Sequence, residues 1–269
     1  MKPRRIPRKK NLVPLAACLS GLLMLPAAKA QSYSWDFESW PNPQRLTSTA
    51  YDGWTGNDAN SVNRRVRVVD SPAGSPLEIG NQSLYLFDNE NNNTPNAQFS
   101  LESNLAAGYL EFSLRRATGT VGTIYLGFRD IGSSSYNMRL YISQSSSTIR
   151  FVAYEGGSIT VDNSVSYATA GYTDFAWNTF RIYFDEAAQA ASVFINGDLV
   201  SGLSITGTSL ALRAGNFVFL AGDSTFMNVG AYIDNVTVAA VPEPSSMALI
   251  ISGGLFLAVC VRRRSRQSA

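Results

Sequence analysis

The sequence predicts an all-β fold: a two-sheet antiparallel sandwich over residues 31–240, set between an N-terminal signal peptide (1–30) and a C-terminal segment (241–269) with a transmembrane helix. Three observations predict it. Apolar and polar residues alternate with period two through most of the middle of the chain, the pattern of strands with one buried and one solvated face. No stretch of ten residues between Gln31 and Ala240 carries a helical pattern. Asn196-Gly197, directly after Val193-Phe194-Ile195, is a hairpin signal, because both residues accept positive φ.

The strands can be justified in order. Tyr33–Phe37, Val66–Val69, Ser83–Phe87 and Ala97–Leu101 are the early candidates. Leu110, Phe112 and Leu114 then alternate with Glu111, Ser113 and Arg115, and Ile124, Leu126 and Phe128 with Tyr125 and Arg129. Met138, Leu140 and Ile142 alternate with Arg139 and Tyr141, followed by Ile149–Tyr154 and Ser158–Val161. Phe180, Ile182 and Phe184 alternate with Arg181 and Tyr183. Ser192–Ile195, Asn216–Leu220 and Ala231–Val238 complete the set. So many strands in one unit of this length point to two packed sheets. The Asn-rich Asn89–Asn96 reads as a polar loop: Asp88, Glu90 and Asn92 alternate as calcium ligands do, but the glycine and distal glutamate of an EF-hand are missing.

The two ends carry addresses. Lys2, Arg4, Arg5, Arg8, Lys9 and Lys10 precede an apolar run, Leu12–Leu25, and Ala28-Lys29-Ala30 offers small residues at Ala28 and Ala30 for signal peptidase, leaving Gln31 first in the mature chain. Leu15-Ala16-Ala17-Cys18 as a lipoprotein box and Arg4-Arg5 as a twin-arginine signal are weaker readings, since the apolar run before Cys18 is short and the flanks of the arginines fit poorly. At the other end, Pro242-Glu243-Pro244 precedes an uncharged apolar run from Met247 to Val261, then Arg262, Arg263, Arg264 and Arg266. From Pro244 to Val261 a helix would reach roughly 26 Å, near bilayer thickness. The arginines stay cytoplasmic and leave the Pro-Glu-Pro on the outer side. Prolines, helix and arginines in that order resemble the PEP-CTERM sorting signal. The resemblance implies a Gram-negative exported protein, anchored in the inner membrane as a precursor, recognised at Pro242, Glu243 and Pro244 by the membrane peptidase exosortase, which removes the tail after about Ser245, and delivered to the cell surface or an exopolysaccharide matrix. An ordinary membrane anchor is the competing reading.

Processing changes the charge. All four lysines fall in residues 1–30, and residues 31–240 keep 11 arginines against 19 acids, a net charge near −8. That balance argues against a nucleic-acid partner. Both cysteines, Cys18 and Cys260, lie in the ends, so no disulfide staples the domain and its core must suffice; a chain of this size buries roughly 70% of its unfolded surface. The absence of histidine removes His-dependent triads and the usual zinc ligand.

W-N-T-F-R-I-Y-F-D at 177–185, the hairpin V-F-I-N-G-D-L-V at 193–200 and the closing Y-I-D-N-V-T-V at 232–238 resemble the concanavalin A-like, laminin-G-like jelly roll. Fibronectin-type and other sandwiches remain open. The resemblance implies a sheet face that binds extracellular polysaccharide, and the outward residues fit: Tyr125, Arg129, Arg139, Tyr141 and Tyr183, with Arg115, Arg150, Tyr154 and Arg181 beside them. Phenol rings stack on sugars and guanidinium forks pair with carboxylates such as uronic acids. Exposed-strand pairing alone also accounts for these residue types. The alternative is a glycan-active enzyme, a hydrolase or lyase. Against it, the family's catalytic E-x-D-x-x-E does not occur, and the adjacent Asp185 and Glu186 would point to opposite faces of a strand. The expectation is therefore a non-catalytic glycan-binding or structural module. The same resemblance implies a structural Ca2+ between the two ends of the domain, with Asp36 or Glu38 in W-D-F-E-S and Asp234 in Y-I-D-N-V as ligands. An unpaired Asp234 would otherwise be costly if buried, unless it accepts backbone N–H groups or faces solvent.

Overall fold

The computed structural model describes residues 32–59, 63–72, 81–89, 94–222 and 228–241. The signal peptide with Ala28 and Ala30, and the tail with Pro242, Glu243, Pro244, the Met247–Val261 run, Arg262, Arg263 and Arg264, lie outside the described residues. Among the described residues no helix is long and apolar enough to cross a membrane.

The strands are β1 (Ser32–Trp35), β2 (Gln44–Arg45), β3 (Trp54–Gly56), β4 (Arg64–Asp70), β5 (Gln82–Asp88) and β6 (Asn96–Leu105). They continue with β7 (Ala107–Arg116), β8 (Thr123–Arg129), β9 (Tyr136–Ser143), β10 (Thr148–Glu155) and β11 (Ser158–Ser166). A one-turn helix, α1 (Tyr167–Ala170), leads to β12 (Asn178–Asp185), β13 (Ala190–Ile195), β14 (Asp198–Leu199), β15 (Ile205–Thr206), β16 (Ala214–Ala221) and β17 (Val229–Ala240). β1 stops short of the expected Phe37, because Phe37 adopts φ 60° and turns the chain. Four strands of two or three residues, β2, β3, β14 and β15, are too short to show a period in the sequence. Asn196 and Gly197 make the expected turn, with φ 54° and 91°.

Among the described residues the strands form two antiparallel sheets. A ten-stranded sheet runs β14-β13-β12-β7-β17-β5-β4-β2, with β1 added to β17 and β15 to β13, and a seven-stranded sheet runs β11-β10-β9-β8-β16-β6-β3. Their inner faces interdigitate: Phe112 meets Phe219 edge-on at 5.3 Å, and Phe128 meets Phe184 at 6.0 Å, each pair joining the two sheets. Each such ring removes on the order of 2 kcal/mol of apolar surface from water, which lets the domain stand without disulfides.

An arginine is buried with the core. Arg116, fully buried at the end of β7, donates to Asp174 Oδ1 at 2.9 Å and to the carbonyls of Gly122 and Ile142 at 3.1 and 3.0 Å. Those partners satisfy the guanidinium and tie β7 to the start of β8, the end of β9 and the segment after α1.

Candidate functional site

The middle of the seven-stranded sheet presents the residues that the alternation predicts. Ile124, Leu126 and Phe128 of β8, with Met138, Leu140 and Ile142 of β9, point into the core, so Tyr125, Gly127, Arg139 and Tyr141 point outward. Register sets their neighbours. Tyr125 stands opposite Tyr141, which stands opposite Arg150; Gly127 stands opposite Arg139, which stands opposite Val152. A bulge after Phe128 skips Asn137 and brings Tyr136 opposite Arg129.

Tyr136 fills the space that Gly127 leaves open; a Cβ on Gly127 would overlap its ring. The Arg129 guanidinium lies 3.9 Å from the Tyr136 centroid, and that of Arg139 lies 4.2 Å from the same ring, 5.0 Å from Tyr125 and 5.1 Å from Tyr141. Tyr125 and Tyr141 meet edge-on at 5.1 Å, and the Tyr141 and Tyr154 hydroxyls are 2.7 Å apart. Burial, then the bond to Tyr154, pushes the Tyr141 phenol up to about 12, so it stays neutral. The packing is tight enough that Tyr125, expected on the exposed side, is only 7% exposed.

Charge separates these arginines from Arg150 and Arg213. Arg150 grips Asp162 with two bonds of 2.5 and 2.7 Å, and this bond holds the Asp162 carboxyl below its ordinary range. Asp130, next to Arg129 in sequence, is held by Arg213 at 2.9 and 3.1 Å, and that bond lowers its carboxyl. Arg129 and Arg139 form no ion pair among the described residues, and the Nε of each is buried without an acceptor. The face therefore holds two guanidiniums among phenol rings with no carboxylate of their own.

The expected five-residue set is corrected at one member. Tyr183 lies on the outer face of the other sheet, between Tyr109 at 5.4 Å and Phe194 at 5.5 Å, beside the Arg181–Glu111 ion pair. It lines a shallow hollow of about 230 Å³ there and shares no surface with Tyr125, Arg129, Arg139 and Tyr141. Alternation tells which side of its own sheet a residue faces and nothing about which sheet that is. Tyr136, in turn, was missed because the bulge shifts its phase, although a glycine inside an otherwise apolar strand pattern signals the close approach at Gly127.

The expected calcium ligands share one neighbourhood. Asp234 is fully buried where a bulge interrupts β17, its Oδ1 accepts from Asn235 N at 2.7 Å, and its Oδ2 has no partner. Burial first, then the charges of Glu38 and Asp36 against the opposing Asn235 bond, pushes its carboxyl up to about 8. Glu38 Oε1 accepts from Asn81 N and Gln82 N at 2.8 Å each, and Asp36 Oδ1 from Glu38 N at 3.1 Å. Gln82 Oε1 and Ser83 Oγ are also buried without partners. Among the described residues no three acids converge as a metal site. Asp234 Oδ2, buried without a partner, is an oxygen of the kind a hard cation takes.

Residues 240–264 match the model of the PEP-CTERM protein-sorting motif. No curated protein matches the sequence. Among solved structures the chain is similar to the cellulose induced protein Cip1, at 13% identity and TM-score 0.55, over 78% of this chain and 97% of that one. It is also similar to the carbohydrate esterase vb_24B_21 of the Shiga toxin-encoding bacteriophage phi24B, at 12% identity and TM-score 0.51, over 79% of this chain and 100% of that one. A sialidase is matched at 13% identity and TM-score 0.51 over 70% of this chain, but the match spans only 17% of the sialidase. At such identities the likeness speaks for the fold. The chain carries a C-terminal PEP-CTERM sorting motif, which implies an exported, C-terminally sorted protein, and its described part is an all-β antiparallel sandwich resembling jelly-roll folds.

Proposed function

We propose that the domain binds an acidic polysaccharide on the outer face of the seven-stranded sheet, as a non-catalytic module that exosortase processing releases to the cell surface or the exopolysaccharide matrix. The observation that carries this reading is the pair Arg129 and Arg139, set among Tyr125, Tyr136 and Tyr141 with no carboxylate partner among the described residues. In a domain near −8 overall, two cations without acids mark a place where an external anion gains most. A uronic-acid carboxylate bonds the free guanidinium edges while its ring stacks on a phenol. The similar structures, a carbohydrate esterase and a sialidase among them, fit a glycan partner and also keep the glycan-active enzyme in play.

The test is calorimetry of residues 31–240 with a polygalacturonate hexamer. Binding that weakens with salt and falls about tenfold in Arg139→Gln with an unchanged melting curve supports the proposal; unchanged binding in that variant sinks it. A reducing-end assay on the same mixture addresses catalysis, and new chain ends would replace the binding module with the enzyme.

The calcium expectation also stands as a proposal, on the buried and unpartnered Asp234 Oδ2. An ion there joins β17 to the turn after β1 through Asp36 and Glu38 and stabilises the folded state by binding it alone.

A further inference from the structure

A second cleft opens at the flank of the sandwich, where β1 of one sheet faces β6 of the other and the turn that leads into β3. Its volume of about 400 Å³ is in the range of small-ligand sites. Tyr33 and Trp35, two residues apart on β1, present half-buried rings that are parallel within 8° at 5.9 Å. Trp35 is fixed from behind by Phe99 at 4.6 Å and by the buried Trp54 at 5.5 Å, edge-on. Across the cleft stands the turn Asp52-Gly53, at φ 47° and 81°. Tyr51 N to Trp54 O at 2.7 Å and Trp54 N to Tyr51 O at 2.9 Å close this turn. The Tyr51 ring anchors it on Trp40 at 4.7 Å. Asp52 is exposed and pairs with no cation among the described residues.

We infer that this cleft is a separate subsite for a neutral pyranose ring. The walls choose the ligand. Aromatic faces take up the C–H face of a sugar, and a carboxylate above them accepts hydrogen bonds from hydroxyls. The same carboxylate repels a uronic acid or a sulfate, and the lining holds no arginine to offset it. Both walls are held by core contacts, so little ordering remains to be done on binding. The subsite therefore has the opposite charge preference to the Tyr/Arg face and stands independently of it.

The experiment follows the tryptophan emission and binding heat of residues 31–240 with neutral hexaoses (β-1,4-glucan, β-1,3-glucan and α-mannan), with polygalacturonate run in parallel. A neutral hexaose is expected to bind and shift the emission. Tyr33→Ala and Asp52→Asn each weaken it by about five- to tenfold; Asn suits the turn, so Asp52→Asn tests the carboxylate without loss of fold. Trp35→Phe removes the emission change and keeps measurable binding. Absence of binding by all three neutral probes, or wild-type affinity in both Tyr33→Ala and Asp52→Asn, overturns the subsite. Polygalacturonate binding reports on the sheet face alone, so failure of one reading does not carry the other with it.

Discussion

Two arginines, one on each outer sheet face and each among tyrosines, reach opposite electrostatic ends. On the ten-stranded sheet, Arg181 of β12 stands directly opposite Glu111 of β7 and pairs with it, with Tyr109 and Tyr183 alongside. On the seven-stranded sheet, Arg139 stands opposite Gly127 and Val152 and finds only rings. What stands directly across the strand separates a paired guanidinium from an unpaired one. Residue content alone does not make a binding face; cross-strand partners do.

The sharpest way to break the comparison is Gly127→Ala. The new Cβ displaces Tyr136, costs about 1–3 kcal/mol of stability as overpacking does, and should remove acidic-glycan binding as Arg129 and Arg139 lose their shared ring. Thermal melting and calorimetry check it; a variant with wild-type stability and affinity would show that the Tyr136 seat does not matter.

Next in size is Asp234, a buried carboxyl of the ten-stranded sheet. Its folded carboxyl is raised from an ordinary 3.8 to about 8. The folded domain thus holds a proton that the unfolded chain releases, and the associated stability is full below about pH 4 and is lost as pH rises toward 8. With chelator present, the melting temperature of the wild type should fall across that window. Asp234→Asn should flatten the fall and gain about 1–2 kcal/mol at pH 8, or several degrees. Calcium at pH 8 should raise the wild-type melting temperature and leave the Asn variant unmoved; equal calcium shifts in both would remove the ion from Asp234.

Smaller effects sharpen the contrast between the arginines. Arg139→Gln should lower acidic-glycan affinity about tenfold, near 1.4 kcal/mol, and flatten its salt dependence, while Arg181→Gln on the other face should leave affinity alone. On stability, Arg181→Gln breaks only a half-exposed pair and should change it by less than about 0.5 kcal/mol, readable as a urea midpoint within error of wild type. Glycan affinity that falls equally in both variants would dissolve the distinction between the faces.

Strand identity was legible because alternation is local: Ile124, Leu126 and Phe128 bury one side wherever their strand ends up. The Asn196-Gly197 turn was legible for the same reason, since positive φ is a property of those two residues. The tail motif was readable from its letters too, because Pro242-Glu243-Pro244, an apolar run and arginines form a contiguous pattern. What tertiary structure decided was adjacency. It set Tyr183 on a different sheet from Tyr141, folded Tyr136 onto Gly127 through a bulge, and gave Arg181 an acid while leaving Arg139 with none among the described residues. It also drew Asp36, Glu38 and Asp234 together from opposite ends of the domain. Register and sheet order come from long-range pairing, and no period within a single strand encodes them.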